Sequence, residues 1–363
     1  MADERLVVDA LAIRSGGGMT VLLGLGPALA AHADVQVRFL VDQETLPTLK
    51  AALWPGEVVA MRFSSQLARA RWEQTRLMAY AKREGFGTVL GLSNVVPVFP
   101  IRSRIKRAVL IQNVAPLISS VRSAYRGRGR LRLEALRALT IASCRSSDLV
   151  LTFTRSAKGV VGDIVPRSLV TRVHPARGLR GETPAPTNSQ PYALIVADLY
   201  RYKGIEDAIV ALSMARDSRL RLIVCGAPIE RDYETALLTL ARNVGVSDRV
   251  SLIGRVGRER VGVLLSGASC YLQTSRAESL CLPLDEAMAL GVPIASTNIP
   301  VAREVCGRNA NYYEPGDTSA LASLLVQADS GLLARPRPTS TPQGWDIAAR
   351  EVLEALNDGV DHA

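Results

Sequence analysis

The chain has 363 residues, 48% of them hydrophobic and 21% charged, with a formal net charge of +10. That length suits two domains of ordinary size, and no apolar run reaches the ~20 residues of a membrane-spanning helix. Three histidines and five scattered cysteines, with no C-x-x-C, H-x-x-x-H or D-x-D, give a zinc site, a disulfide framework or a divalent-metal site little to stand on.

The N-terminus carries acids ahead of its first apolar run and lacks a basic n-region, which argues against a signal peptide. Charge is unevenly spread. Residues 1–190 hold 27 Lys and Arg against 13 Asp and Glu, and residues 191–363 hold 17 against 21. The basic half should therefore be drawn to an anionic surface or ligand.

Residues 5–13 form a near-continuous apolar run, as in a buried parallel strand. Ser15 and three glycines follow, then a helical pattern over 19–31; strand, glycine turn and helix open a doubly wound sheet. Gly24-Leu25-Gly26 lies inside that helix and lacks a third glycine, so it is no dinucleotide fingerprint. Strands are predicted over 35–41, 88–92, 108–111, 149–154 and 169–174, with a helix over 65–82 and a Thr154 cap. Gln112 and Asn113 stand at a strand's C-terminal end, where open α/β sheets place ligands. Residues 122–137 are arginine-rich, and Leu131, Leu133, Leu136 and Leu139 suggest an amphipathic helix over 130–141 suited to an anionic membrane surface.

Residues 181–191 hold three prolines without apolar periodicity and read as a linker. The pattern then restarts: strands over 192–197, 221–225, 250–253 and 270–273, helices from 205, over 230–244 and near 259–266, and a terminal helix over 344–358. Within this half, ESLCLPLDEAMALGVPIAS (278–296) sets Glu278 and Glu286 eight positions apart. Pro283 suits a first helical turn, and Gly291 a left-handed stop, predicting a helix over 284–290. The amides of Leu280, Cys281 and Leu282 then point off a helix N-terminus, a natural phosphate site.

This segment resembles the E-x7-E signature of retaining, metal-independent family 4 glycosyltransferases, usually seen as EGFGLPxLEAMA-G-PV. The resemblance implies a GT-B fold, two tandem doubly wound Rossmann-like α/β domains with a central cleft. Residues 1–180 would bind acceptor, 181–191 link, 192–343 bind the nucleotide-sugar donor, and 344–363 cross back to the first domain, with Trp345 as anchor. By resemblance Glu278 contacts the donor sugar and Glu286 the ribose, while Lys203 and Gly204 match the family's diphosphate-binding Lys-Gly. Asp198 stands where the family has arginine, and Arg201 is the candidate replacement. Gly17 and Gly18 would approach the donor phosphates, and Ser275, Ser279, Gly254 and Arg255 would line the nucleotide's path. Gln112 and Asn113 stand where many family members have His-Asp or His-Asn, with Gln112 in place of the histidine near the donor sugar.

Glu278 and Lys203 are thus the catalytic candidates, with no metal and no cofactor beyond the donor. The implied reaction moves a hexose, mannose or similar, from a nucleotide diphosphate to a lipid-linked envelope polysaccharide in the cytoplasm, with the enzyme peripheral on the inner membrane face. A GT-B sugar epimerase and a retired transferase acting as a partner subunit are the alternatives. Histidine poverty weighs against the first, and only Asp198 and Gln112 support the second.

Overall fold

The computed structural model describes residues 4–52, 54–99, 103–175, 190–337 and 344–358. The chain divides into two compact units, Met1–Ala176 with Gln343–Ala363, and Arg177–Pro342. Most of the expected linker, 181–189, lies outside the described residues.

In the first unit the strands are β1 (Glu4–Ala10), β2 (Val35–Asp42), β3 (Glu57–Met61), β4 (Thr88–Gly91), β5 (Lys106–Ile111), β6 (Leu149–Thr152) and β7 (Val170–Arg172). They form one parallel sheet in the order β3-β2-β1-β4-β5-β6-β7. Its helices are α1 (Gly16–Ala30), α2 (Leu46–Ala51), α3 (Gln66–Arg83), α4 (Ser119–Ser123), α5 (Gly127–Ser146) and α6 (Arg155–Gly162). Leu6, Val7 and Val8 of the central strand are wholly buried on both faces, which is why that strand reads as an apolar run rather than an alternation. The side chain of Thr154 caps α6 by accepting from the Ala157 amide at 3.1 Å.

Two sequence expectations change here. The glycine turn after β1 is helical: α1 begins at Gly16, so Gly17 and Gly18 are its first-turn residues. The arginine-rich helix is longer than 130–141, and its four leucines do not make one stripe. Leu133 is buried while Leu131, two residues before it and so on the opposite side of the helix, is 71% exposed, and Leu136 is 38% exposed.

The second unit holds β8 (Tyr192–Val196), β9 (Arg221–Cys225), β10 (Val250–Leu252), β11 (Cys270–Gln273), β12 (Ile294–Thr297) and β13 (Asn311–Tyr313). These also form a parallel sheet, in the order β10-β9-β8-β11-β12-β13. Around it lie α7 (Ile205–Met214), α8 (Arg231–Asn243), α9 (Arg258–Ser266), α10 (Leu282–Ala289), α11 (Pro300–Cys306) and α12 (Thr318–Asp329). One core layer packs Ile205, Ile209 and Leu212 of α7 with Leu321 and Leu325 of α12; the other packs Leu284 and Met288 of α10 with Leu264 and Leu265 of α9.

The last helix, α13 (Trp345–Asp358), belongs to the first unit and packs on α1 and β6. A Cβ on Gly24 would lie 2.0 Å from the Trp345 indole nitrogen, so that glycine exists to seat the ring. Gly26 does the same for Trp54, also at 2.0 Å. The far side of the Trp345 ring meets Phe153 edge-on, centroids 6.2 Å apart. Glu351 accepts from the His174 amide at 2.6 Å, and Lys106 Nζ donates to the Leu356 carbonyl at 3.0 Å, a cation at a helix C-terminus. Gly24→Ala should therefore cost about 1–3 kcal/mol by overpacking. A urea midpoint equal to wild type would mean that α13 does not depend on this seat.

Candidate functional site

At the C-terminal end of β8 the chain enters a short 3-10 turn, Arg201–Lys203, closed by Gly204 at φ 62°. A Cβ on Gly204 would stand 2.5 Å from the Thr274 carbonyl, so only glycine permits this close approach to the loop after β11. Thr274 Oγ1 in turn donates to the Lys203 carbonyl at 2.6 Å. These contacts bring Lys203 Nζ to 2.5 Å from Glu278 Oε1, with both side chains at least 85% buried. Burial alone would lower the Lys203 pKa, but the Glu278 charge and hydrogen bond more than reverse that and hold it above the ordinary lysine range. The same carboxylate oxygen accepts from Ser275 Oγ at 2.7 Å, and Gln273 Nε2 lies 3.5 Å away. Glu278 is thereby fixed by two neighbours besides the lysine.

Three residues on, Cys281 adopts φ 58°, ψ 64° as the N-cap of α10. The left-handed region costs a non-glycine residue on the order of 1–2 kcal/mol. The EGFGLP pattern has glycine at this position, so Cys281 keeps the backbone path that turns the following amides off the helix N-terminus. Leu282 begins α10 and Pro283 follows at its second position, so the helix starts two residues ahead of the expected 284–290 span. Gly291, at φ 66°, follows the helix's C-cap residue Leu290. Ser279 is buried beside this turn and Leu280 half-buried.

Glu286 points from α10 with 9% of its side chain exposed, 3.2 Å from the Arg258 guanidinium. Burial raises its carboxyl pKa to about 7; half-exposed Arg258 pulls the other way without offsetting it, and Asp285 adds to the rise. Tyr271, buried on β11, lies within electrostatic reach of Cys281, Glu278 and Glu286 alike, which ties the loop, the N-cap and the helix acid into one neighbourhood.

The departures from the family pattern have specific placements. Asp198 accepts from the Ala227 amide at 2.8 Å and takes Arg255 Nη2 at 3.0 and 2.9 Å. It ties the loop after β8 to the loop after β9 and occupies Arg255. Gly226 makes that approach possible, since a Cβ there would sit 1.9 Å from the Ala197 carbonyl. Gly254, at φ 71°, has open space where a Cβ would be. Arg201 is held elsewhere: its guanidinium donates to Asp232 at 2.6 Å and lies 5.3 Å from the Tyr233 ring centroid. The guanidinium beside Glu286 is that of Arg258, which no motif marks. Its only signal in the sequence is that it opens the helix after Gly254-Arg255-Val256-Gly257. Arg276 is equally unmarked; it pairs with Asp207 at 3.1 Å and Glu206 at 3.2 Å, bracing α7 against the loop that carries Glu278.

In the first unit Gln112 and Asn113 gather around Asn94. Asn94, at φ 68°, accepts from both their amides at 2.7 and 3.1 Å and donates to the Asn113 carbonyl at 2.6 Å. Gln112 Nε2 donates to the Leu92 carbonyl at 2.5 Å, and its Oε1 lies 3.8 Å from where a Gly18 Cβ would be. Asn113 Oδ1 accepts from the Ala115 amide at 2.9 Å. Gly17 has open space at its Cβ position. The two glycines, Gln112 and Asn113 thus share the C-terminal edge of this sheet, and Asn94 is the organiser that no motif marks. Among the described residues no group of three or more His, Cys, Asp or Glu is arranged to hold a metal ion.

The described residues thus hold two parallel, doubly wound sheets, with a lysine–glutamate pair beside a helix N-terminus in the second. Residues 182–328 match the family described as glycosyl transferases group 1, so the second unit carries a domain of that family. The O-antigen chain mannosyltransferase RfbU of Salmonella typhimurium is 29% identical over 134 residues, 37% of this chain and 37% of that protein. The O-antigen chain mannosyltransferase B of Escherichia coli is 26% identical over 201 residues, 52% of this chain and 50% of that protein. The chain thus spans between about a third and a half of the length of the curated relatives it matches. The crystal structure of Anabaena HepE in complex with UDP-glucose aligns at a TM-score of 0.76 over 98% of this chain and 99% of HepE, at 16% identity. That likeness shows the fold: the GT-B architecture expected from the sequence.

Proposed function

We propose that the protein is a retaining glycosyltransferase that moves a hexose, mannose or similar, from a nucleoside diphosphate to a growing envelope glycan. The observation that carries this reading is the buried Lys203–Glu278 pair set against the N-terminus of α10. Nucleoside diphosphate is the leaving group, and Lys203 with the α10 amides stabilises the charge that grows on it. Glu278, already oriented by Ser275, accepts from sugar hydroxyls, and Glu286 from the ribose. Front-face substitution needs no enzymic nucleophile, because the departing phosphate takes the acceptor's proton while the protein supplies position and charge. Two O-antigen mannosyltransferases among the relatives support the sugar and the acceptor class.

Asp198 fits an active enzyme: it holds the loop after β8 and gives no ground for a retired subunit. Among the described residues no helix is long and apolar enough to cross a membrane. The arginines of 122–137 support docking at an anionic bilayer, where a lipid-linked acceptor lies. The test is sugar transfer and donor hydrolysis by the purified protein across GDP- and UDP-sugars, with and without EDTA. GDP-mannose turnover unchanged by EDTA is expected. Loss of turnover in EDTA with rescue by magnesium or manganese would overturn the metal-independent mechanism, and no turnover of any donor would overturn the enzyme itself.

A further inference from the structure

The C-terminal half of α5, the start of β5 and the segment before it enclose a cavity of about 660 Å³ in the first unit. Arg137 and Arg145 line it from the helix, Arg107 and Asp148 from the sheet, and Val98 and Ile141 supply apolar walls. The charges are not equally free. Buried Arg107 donates to the Pro97 and Val98 carbonyls, and its own amide donates to Asp148 Oδ2 at 2.8 Å. Arg137 and Arg145, by contrast, have no ion pair or side-chain hydrogen bond among the described residues. Arg122, earlier in the chain, shows the alternative, since it is matched to Glu134 at 3.1 Å.

The helix C-terminus brings roughly half a negative charge to this end of α5, and Asp148 brings one. Three guanidinia outweigh both, so the groove is net positive. At about 100° per residue, Arg130, Glu134, Arg137, Ile141 and Arg145 share one stripe of the helix; Glu134 is already matched to Arg122, so the groove continues as a net basic stripe into the N-terminal half of α5. Phe99, 63% exposed beside Val98, and Leu131, 71% exposed on the helix, give the same region apolar projections. Cations interleaved with exposed aromatic and aliphatic side chains match a bilayer's headgroup level rather than a nucleic acid backbone.

We propose that this groove is a headgroup site for the phosphate of an anionic membrane lipid, with Arg137 and Arg145 as its ligands. It rests on the reading that the protein works at an anionic bilayer, and gives that reading a defined pocket in place of diffuse charge. Sedimentation with phosphatidylcholine vesicles, with and without phosphatidylglycerol, compares wild type, Arg137→Ala/Arg145→Ala, and Arg126→Ala/Arg128→Ala/Arg130→Ala. A second measurement titrates monomeric dioctanoyl phosphatidylglycerol and inorganic phosphate by calorimetry. With about five-fold per cation near an anionic leaflet, the groove double variant should lose roughly 25-fold in vesicle affinity, and it should lose short-chain lipid binding altogether. Its melting temperature should match wild type, because both side chains lack partners to lose. The triple variant should lose vesicle affinity yet keep the short-chain lipid. A double variant that binds vesicles like wild type overturns the groove and leaves the membrane reading standing. Wild type that ignores vesicles but binds the short-chain lipid through Arg137 and Arg145 overturns the membrane reading and keeps the groove. Inorganic phosphate binding as tightly as the lipid overturns the lipid assignment.

Discussion

Lys203→Ala is expected to lower kcat/KM for sugar transfer by about 10²–10³-fold, the usual cost of removing one preorganised donor from developing charge. Lys203 is largely withdrawn from solvent, fixed by the Thr274 contact to its carbonyl and aimed by Glu278, so it needs no reorganisation when the phosphate departs. Its raised pKa keeps it charged throughout the working range, so the rate should show no basic limb near neutrality from this group. Removal also frees Glu278, which keeps only Ser275 and the longer Gln273 contact. Lys203→Arg retains the charge but spreads it over a planar fork in place of the point charge that Glu278 aims, and should recover only part of the loss. Single-turnover rates on saturating donor separate this from weakened binding. A Lys203→Ala rate within threefold of wild type would exclude the lysine from the reaction.

Glu286→Gln should act on two quantities in opposite directions. Nucleotide affinity should fall by about 1–3 kcal/mol, the worth of hydrogen bonds to a charged acceptor. Stability should respond to pH instead. The folded-state pKa is raised from 4.5 to about 7 by burial, so folding favours the protonated acid. That contribution is complete below pH 4.5 and is lost as pH rises through about 7, a difference on the order of 3 kcal/mol. Wild type should therefore weaken between those values. The glutamine variant, which mimics the protonated acid, should lack that slope and exceed wild type in stability at pH 8. Arg258 is half-exposed and returns to water, so its lost partner costs little. Urea midpoints at pH 5 and pH 8, with calorimetric titration of GDP and UDP, read both quantities. Parallel pH slopes in the two proteins would show that Glu286 is not held in its protonated form, and unchanged nucleotide affinity would take it out of the site.

By itself the sequence determined what depends on local periodicity and on single backbone constraints. Continuous apolar runs such as 5–13 exist because strands buried on both faces need them, and such runs are the mark of a parallel sheet. Thr154 discloses a helix start and Gly291 a helix stop, because each answers a steric or hydrogen-bonding demand within four residues of itself. Strand β3 leaves no such mark, since its residues are only partly buried and carry a weak apolar signal.

Tertiary structure decided what depends on partners far apart in the chain. Lys203 and Glu278 are 75 positions apart and meet only because β8 and β11 are neighbours in the sheet. Gly24 has the look of half a nucleotide fingerprint, and its reason is a tryptophan from the last helix. Arg201 stands where a replacement cation is wanted, yet Asp232 at the start of α8 claims its guanidinium, and Arg258 takes the place beside Glu286. Asn94 carries no motif because its role lies in a left-handed backbone and three hydrogen bonds to residues 18 or 19 positions away. Side-chain charge is visible in a sequence, but which charges are already matched is a property of the packed chain, and it is the unmatched ones that remain available to a ligand.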